Sequence, residues 1–299
     1  MTTVLDPPQA LSAPPRRVRR RPRHRVGAVL RGLLLTAGLA VMLYPLVWTV
    51  AASFSPSGEI VGNGGLLPPV STTANYGSAL AGVGTVSVGR FFLNSLVISV
   101  LTVIGTLASS SVAAYAFARV RFRFRGVLFG VMIGTLLLPV HVLIVPQYVM
   151  FQKAGLIDTY VPLLVGKFLA TEAFFVFLLV QFIRQLPREL DEAARVDGCG
   201  HGRIFWHVIL PLMRPALVTS AIFAFIWSWN DFLGPLLFLN SPEKFPLPLA
   251  LKLYLDQQSS SDFGGMIALS VLALLPVAGF FLLFQRFIVG GLATSGLKG

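Results

Sequence analysis

Residues 191–215 read DEAARVDGCGHGRIFWHVILPLMRP. Pro187 suits a first helical position, and Glu189, Asp191 and Glu192 then fall in the opening turns, where the helix dipole favours negative charge. Ala193 and Ala194 extend that helix, and Gly198 stops it. Gly200 and Gly202 keep the chain flexible or allow positive φ. Beyond them, Ile204, Phe205, Val208 and Ile209 form an apolar stripe on a second helix, which Pro211 and Pro215 end. Arg188, Arg195, Arg203 and Arg214 offset Glu189, Asp191, Glu192 and Asp197. A neutral amphipathic unit of this kind suits a protein surface better than an anionic lipid surface.

On both sides the polar unit meets apolar runs, residues 161–183 before it and 216–239 after it. Each is long enough for a membrane helix, which needs roughly 20 mostly apolar residues. Extending the search outward gives six such windows: 33–54, 92–117, 127–150, 161–183, 216–239 and 266–289. Of the 299 residues, 55% are hydrophobic and 12% charged, a balance foreign to ordinary soluble domains. The expected fold is all-α, a polytopic membrane protein with six transmembrane helices. A lone cysteine, Cys199, excludes an internal disulfide framework.

Lys and Arg accumulate in cytoplasmic loops, and here 19 of the 24 fall on one face. That face carries Arg16 to Arg31 of the N-terminal tail, Arg119 to Arg125, the arginines of 184–214, and Arg286 and Lys298. Both termini are therefore expected in the cytoplasm, together with residues 185–215. Residues 1–30 read as a basic, disordered tail that anchors topology and touches lipid heads, and 31–299 as the membrane domain. Charge placed by topology speaks against a nucleic-acid partner. The first apolar run is also too long for the roughly 7–15 residues of a signal peptide.

Glu192-Ala193-Ala194, Asp197-Gly198 and Ile209-Leu210-Pro211-Leu212 resemble the cytoplasmic "EAA" loop of the membrane subunits of bacterial ABC-type importers. Further stretches are similar to the second permease subunit of the maltose-type carbohydrate branch. They are Asn75-Tyr76, Arg90 to Ser95, Pro139 and Pro146, Gly155 to Thr159, Trp229-Asn230-Asp231-Phe232 with Pro235-Leu236, and the Lys298-Gly299 ending. Cys199 departs from the alanine more usual in that family.

The resemblance implies a multi-pass permease of the bacterial inner membrane, forming half of a carbohydrate pathway. Its implied partners are a second homologous permease, a dimeric ATP-binding cassette ATPase and an extracytoplasmic solute-binding protein. It implies that Glu192, Ala193, Ala194, Asp197, Gly198, Gly200 and Arg203 dock on the ATPase and carry its closure to the spans. The chain itself needs no cofactor in this reading, because ATP and Mg²⁺ belong to the ATPase.

The residues agree with that division of labour. No G-x-x-x-x-G-K-[ST] phosphate loop occurs, and no nucleophile elbow or catalytic triad setting is present, so the chain reads as a transport subunit and not an enzyme. Cys199, His201 and His207 lack the paired spacing of a metal site and read as polar surface. Polar groups at membrane depth are expensive and mark pathways. Trp229, Asn230, Asp231, Phe232 and Gln147 are the candidate solute contacts, with aromatic faces for sugar C–H patches and polar groups for hydroxyls. For Trp229, Asn230 and Asp231 an aromatic belt and a helix interruption before Pro235 explain the pattern equally well. Lys167 and Glu172, five residues apart, would sit about 140° apart on one continuous helix and so would not pair. An alternative function, an ion-coupled secondary transporter using Glu172 and Asp231, explains the spans but leaves residues 191–215 idle.

Overall fold

A computed structural model describes residues 24–60, 70–255 and 262–295. The basic tail up to residue 23 and the ending at Gly296–Gly299 lie outside the described residues, as do the side chains of His141, Gln285, Arg286 and Phe287. The described residues are helical and turn-forming, with no strand among them. The chain divides into two units, residues 1–48 and 49–299. Most of α1 (His24–Ala52) lies in the first, and its mainly apolar side chains from residue 27 to residue 47 are exposed, as on a helix facing hydrocarbon.

The second unit is organised on α3 (Val88–Arg119), 32 residues without a break. The middle of its buried face is mostly small and polar, with Ser95, Ser99, Thr102, Gly105, Thr106, Ser110 and Ser111 beside a single large apolar residue, Ile98. Small side chains let helix backbones approach closely where lipid gives no hydrophobic drive for association. Against this stripe lie α6 (Val161–Phe168), α7 (Ala173–Gln185) and α10 (Arg214–Trp229). A Cβ at Gly105 would come within 2.7 Å of the Phe168 ring, so the α3–α6 approach depends on that glycine. The remaining described helices of six residues or more are α2 (Ala74–Ala81), α4 (Arg125–Thr135), α5 (Val140–Lys153), α8 (Glu189–Val196), α9 (His201–Leu212), α11 (Leu233–Phe238), α12 (Leu247–Leu253) and α13 (Phe263–Ser295).

Among the described residues, four runs are long and apolar enough to cross a bilayer: Gly27–Ala52, Val88–Arg119, Val161–Gln185 and Phe263–Phe284. The bent pair α9–α10 raises this to five. Window 127–150 is not one helix. After α4 the N–H groups of Leu136, Leu137 and Leu138 each bond the carbonyl three residues back, and Pro139 then opens α5. Pro146 stays inside α5. Window 216–239 also divides, because α10 ends at Trp229 and α11 begins at Leu233.

Two apolar clusters hold the ends of α3. At the Arg119 end, Tyr115, Leu179, Ile183, Ile204, Ile209 and Met213 are buried together. At the Val88 end, Phe91, Phe225, Trp229, Leu247, Tyr254 and Leu269 form the second. Burial pushes the Tyr254 hydroxyl up to about 12, and it donates to the Ala79 carbonyl at 3.0 Å.

The Val88 end is also clasped by hydrogen bonds. Asn94 donates to the carbonyls of Glu243 (2.8 Å) and Phe245 (3.0 Å), and Ser95 accepts the Leu247 N–H at 2.7 Å. Asp158, at φ +62°, bonds Lys244 Nζ (2.7 Å), the Ser241 hydroxyl (2.6 Å) and two backbone N–H groups, those of Asn240 and Ser241. Burial opposes ionisation of that carboxyl, but the Lys244 ammonium and the three further donors outweigh it and hold it well below the usual carboxylate range. The resembling stretches Arg90 to Ser95 and Gly155 to Thr159 thus meet on a single strap, residues 240–247.

Candidate functional site: a docking segment and a polar cavity

Residues 188–212 fold as the sequence suggests, helix, glycine turn, helix. Helix α8 ends at Val196, Asp197 caps it, and Gly198 takes φ +77°. The Gly198 N–H bonds the Arg195 carbonyl and the Cys199 N–H bonds the Ala194 carbonyl, both at 2.9 Å. That pairing is the Schellman closure, and its left-handed residue favours glycine. Gly200 and Gly202 have ordinary φ and open space around them, so neither is demanded by the backbone.

Pro187 lies before the first helical residue, Glu189. Helix α9 passes through a π-turn at Phe205–Ile209 and meets α10 at a 75° bend. Of its apolar stripe, Ile204, Phe205 and Ile209 are buried and Val208 is half-buried, which fastens the segment beneath α3 and α7.

The two faces of the segment differ. Glu192, Ala193, Asp197, Gly198, Gly200 and Arg203 are exposed, whereas Ala194 is buried. Beside the exposed set stand two apolar side chains that the sequence alone did not mark, Val196 at 89% exposure and Trp206 at 63%. Large apolar groups left bare on an otherwise polar segment point to a protein partner. On the inward face, Asp191 pairs with Arg119 at the end of α3, and both side chains are buried. His201, expected as plain surface, meets the Tyr115 hydroxyl through Nδ1 at 3.2 Å, and His207 faces the Arg203 carbonyl of its own helix.

The second feature is a polar cavity of about 240 Å³ between α3, α6, α7 and α10. Thr102, Thr106, Lys167, Glu172, Ser228 and Asp231 supply its polar lining, and Trp227 an aromatic wall. Lys167 and Glu172 form an ion pair there, contrary to the helical-wheel expectation. The helix breaks between them: Ala170 adopts φ +55°, and the Thr171 hydroxyl donates back to the Gly166 carbonyl at 2.9 Å. Asp231 accepts the Gly234 N–H at 3.1 Å, and the glycine leaves room for the carboxylate.

Among the five candidate solute contacts, Asp231 lines this cavity. Trp229 is buried elsewhere, stacked on Phe225 at 5.5 Å and donating to the Ala273 carbonyl at 3.2 Å. Asn230 donates to the Ile226 carbonyl at 2.8 Å and closes α10. Phe232 and Gln147 are exposed and stand outside the cavity lining.

The family model for the binding-protein-dependent transport system inner membrane component matches residues 105–292, which take in the docking segment and all of the cavity lining except Ile98 and Thr102. The chain belongs to that family. Among similar proteins is the arabinooligosaccharides transport system permease protein AraQ of Halalkalibacterium halodurans, 35% identical over 89% of this chain and 96% of its own length. The trehalose/maltose transport system permease protein MalG of Thermococcus litoralis is 31% identical over 91% and 98%, respectively. The sn-glycerol-3-phosphate transport system permease protein UgpE of Agrobacterium fabrum is 33% identical over 90% and 97%. The fold matches a bacterial ABC transporter that imports the acidic polysaccharide alginate, with TM-score 0.77 and 23% identity over 89% of this chain and 98% of that one. As an inner-membrane permease subunit it leaves ATP hydrolysis to a separate subunit.

Proposed function

We propose that the chain is one of two homologous permease halves of an ATP-driven carbohydrate importer. The observation that carries this reading is the helix–glycine–helix segment at residues 188–212, fastened on one face and left bare, with Val196 and Trp206, on the other. In this reading the exposed face, with Glu192, Ala193, Asp197, Gly198, Gly200 and Arg203, seats in a dimeric ATPase that holds the ATP and Mg²⁺. Ala194 acts from beneath as the packing residue. The permease crosses the inner membrane six times with both termini in the cytoplasm. The broken pair α4–α5 makes the third span and α10–α11 the fifth, and an external solute-binding protein delivers solute.

The cavity beside α3 is the solute path on this side of the pseudo-symmetric pair. Its charged groups, Lys167, Glu172 and Asp231, give no net positive charge, which suits a neutral sugar better than a phosphate ester. Sugar-transport relatives support the carbohydrate class, and the family match favours ATP coupling over an ion-coupled carrier. The test is uptake into cells or vesicles that carry the full complex. Uptake that stops on ATP depletion and survives collapse of the proton gradient supports the reading; the opposite pattern overturns it.

A further inference from the structure

The ATPase stroke has to reach the helices that line the cavity, and residues 188–212 supply none of that lining. Helices α7 and α10 flank the segment in the chain and reach the lining with Phe175 and with Ala224, Trp227 and Ser228, whereas α3 joins the two from a distant part of the chain. Helix α3 contributes Ile98, Thr102 and Thr106 to the cavity and ends at Arg119 without interruption. From Thr106 to Arg119 its axis covers about 20 Å, at about 1.5 Å per residue. At that end Arg119 reaches into the segment twice. Its Nε stands 3.0 Å from Asp191 Oδ2 of α8, with side-chain exposures of 5% and 7%, and its Nη2 donates to the Leu186 carbonyl at 2.7 Å. One turn earlier, Tyr115 meets His201 of α9 and lies against the Phe205 ring at 5.3 Å between centroids.

The Arg119–Asp191 contact lies off hydrogen-bond alignment, so it is an ion pair held by charge. A buried pair is a poor source of stability compared with apolar packing, but it fixes one geometry, because either partner left alone is a buried unpaired charge. We propose that Arg119 and Asp191 are the positioning residues of a joint that makes α8, α9 and the end of α3 move as one body, so that the ATPase stroke is delivered along α3 to the cavity. The joint rests on the docking reading given above. It differs from the docking residues in facing away from the ATPase: Asp191 is buried while its neighbours Glu192 and Ala193 are bare.

The test uses the complete transporter in proteoliposomes, with the native Cys199 first replaced by alanine to give the reference protein. ATPase co-purification with this reference chain is scored beforehand; its failure would dispose of the docking reading and leaves the joint without a stroke to carry. Arg119→Cys with Asp191→Cys removes the charges together and avoids an orphan. Without cross-linker, this pair is expected to keep the ATPase bound and to lose at least tenfold in solute moved per ATP hydrolysed. A short bis-maleimide bridging the two thiols restores the ratio to within about threefold of the reference. A merely structural role for the pair does not give rescue by a covalent tie. Uncross-linked transport within twofold of the reference overturns the joint, as does transport that the bridge fails to restore. Where the double variant does not assemble, Asp191→Asn decides the matter: a tenfold loss per ATP with the ATPase retained supports the joint, and a ratio within twofold of the reference sinks it.

Discussion

Gly198 offers the sharpest mutational reading of the docking segment. It sits at φ +77°, and no atom lies within 4 Å of where a Cβ would be. Substitution therefore meets no clash, and its cost is wholly that of holding a side chain in the left-handed region, about 1–2 kcal/mol for alanine. Since about 1.4 kcal/mol is a factor of ten, Gly198→Ala should reduce the correctly closed turn roughly 5–30-fold relative to alternatives. Gly198→Val, β-branched, should cost more, and Gly198→Asn less, because asparagine tolerates that region. The closure at stake is the pair of 2.9 Å bonds to the Arg195 and Ala194 carbonyls that sets the angle between α8 and α9. The control is Gly202→Ala, at an open site on α9, which should be neutral or stabilising by up to about 1 kcal/mol. The assay is the ATPase concentration needed for half-maximal uptake in reconstituted vesicles, measured across the four variants. Equal behaviour of Gly198→Ala and Gly202→Ala would show that the turn does not set the docking geometry.

Trp206→Ala should weaken ATPase association by about 2 kcal/mol, roughly 30-fold, as loss of an exposed aromatic anchor does, with the thermal transition unmoved; titration of the ATPase onto the purified permease checks it. Gly105→Val should drive its side chain into the Phe168 ring and cost about 1–3 kcal/mol from overpacking, and Phe168→Ala in the same chain should recover part of the loss in a thermal-stability scan. Asp158→Asn should cost about 1–3 kcal/mol by weakening four bonds to residues 240–244. Because the folded chain holds that carboxyl below its ordinary range, its contribution is complete above the unfolded value near 4 and is lost as pH falls toward the lower folded value. The wild type should therefore lose more stability than Asp158→Asn on going from pH 6 to pH 3.

The features legible in the sequence were those that short-range chemistry writes. Apolar length marked the windows, Gly198 marked its turn, and the spacing of Ile204, Phe205 and Ile209 marked the buried stripe. Pairings made by tertiary contact were not legible. The wheel that set Lys167 and Glu172 apart assumed a continuous helix, and the left-handed Ala170 carried no glycine to announce it. Asp191 and Arg119 are 72 positions apart in the chain, and nothing local links them. The available hint was that Asp191 shares a helix face with Ala194, three residues on, so that burying one buries the other. Trp229 illustrates the opposite error. Its aromatic-polar neighbourhood fits a sugar wall, yet stacking on Phe225 and a bond to the Ala273 carbonyl place it in the apolar cluster. Val196 and Trp206 escaped notice because exposure depends on which face the whole segment turns inward.

The most direct measurement is site-directed photo-cross-linking from Ala193, an exposed position on α8, in the assembled transporter within native membranes. A photoreactive residue there should yield an adduct with the ATPase in high amount, and the adduct's yield should change between the ATP-bound and nucleotide-free states. An adduct formed only with lipid or with the external binding protein, or an ATPase adduct that the same residue gives equally from Asn230, would contradict the account.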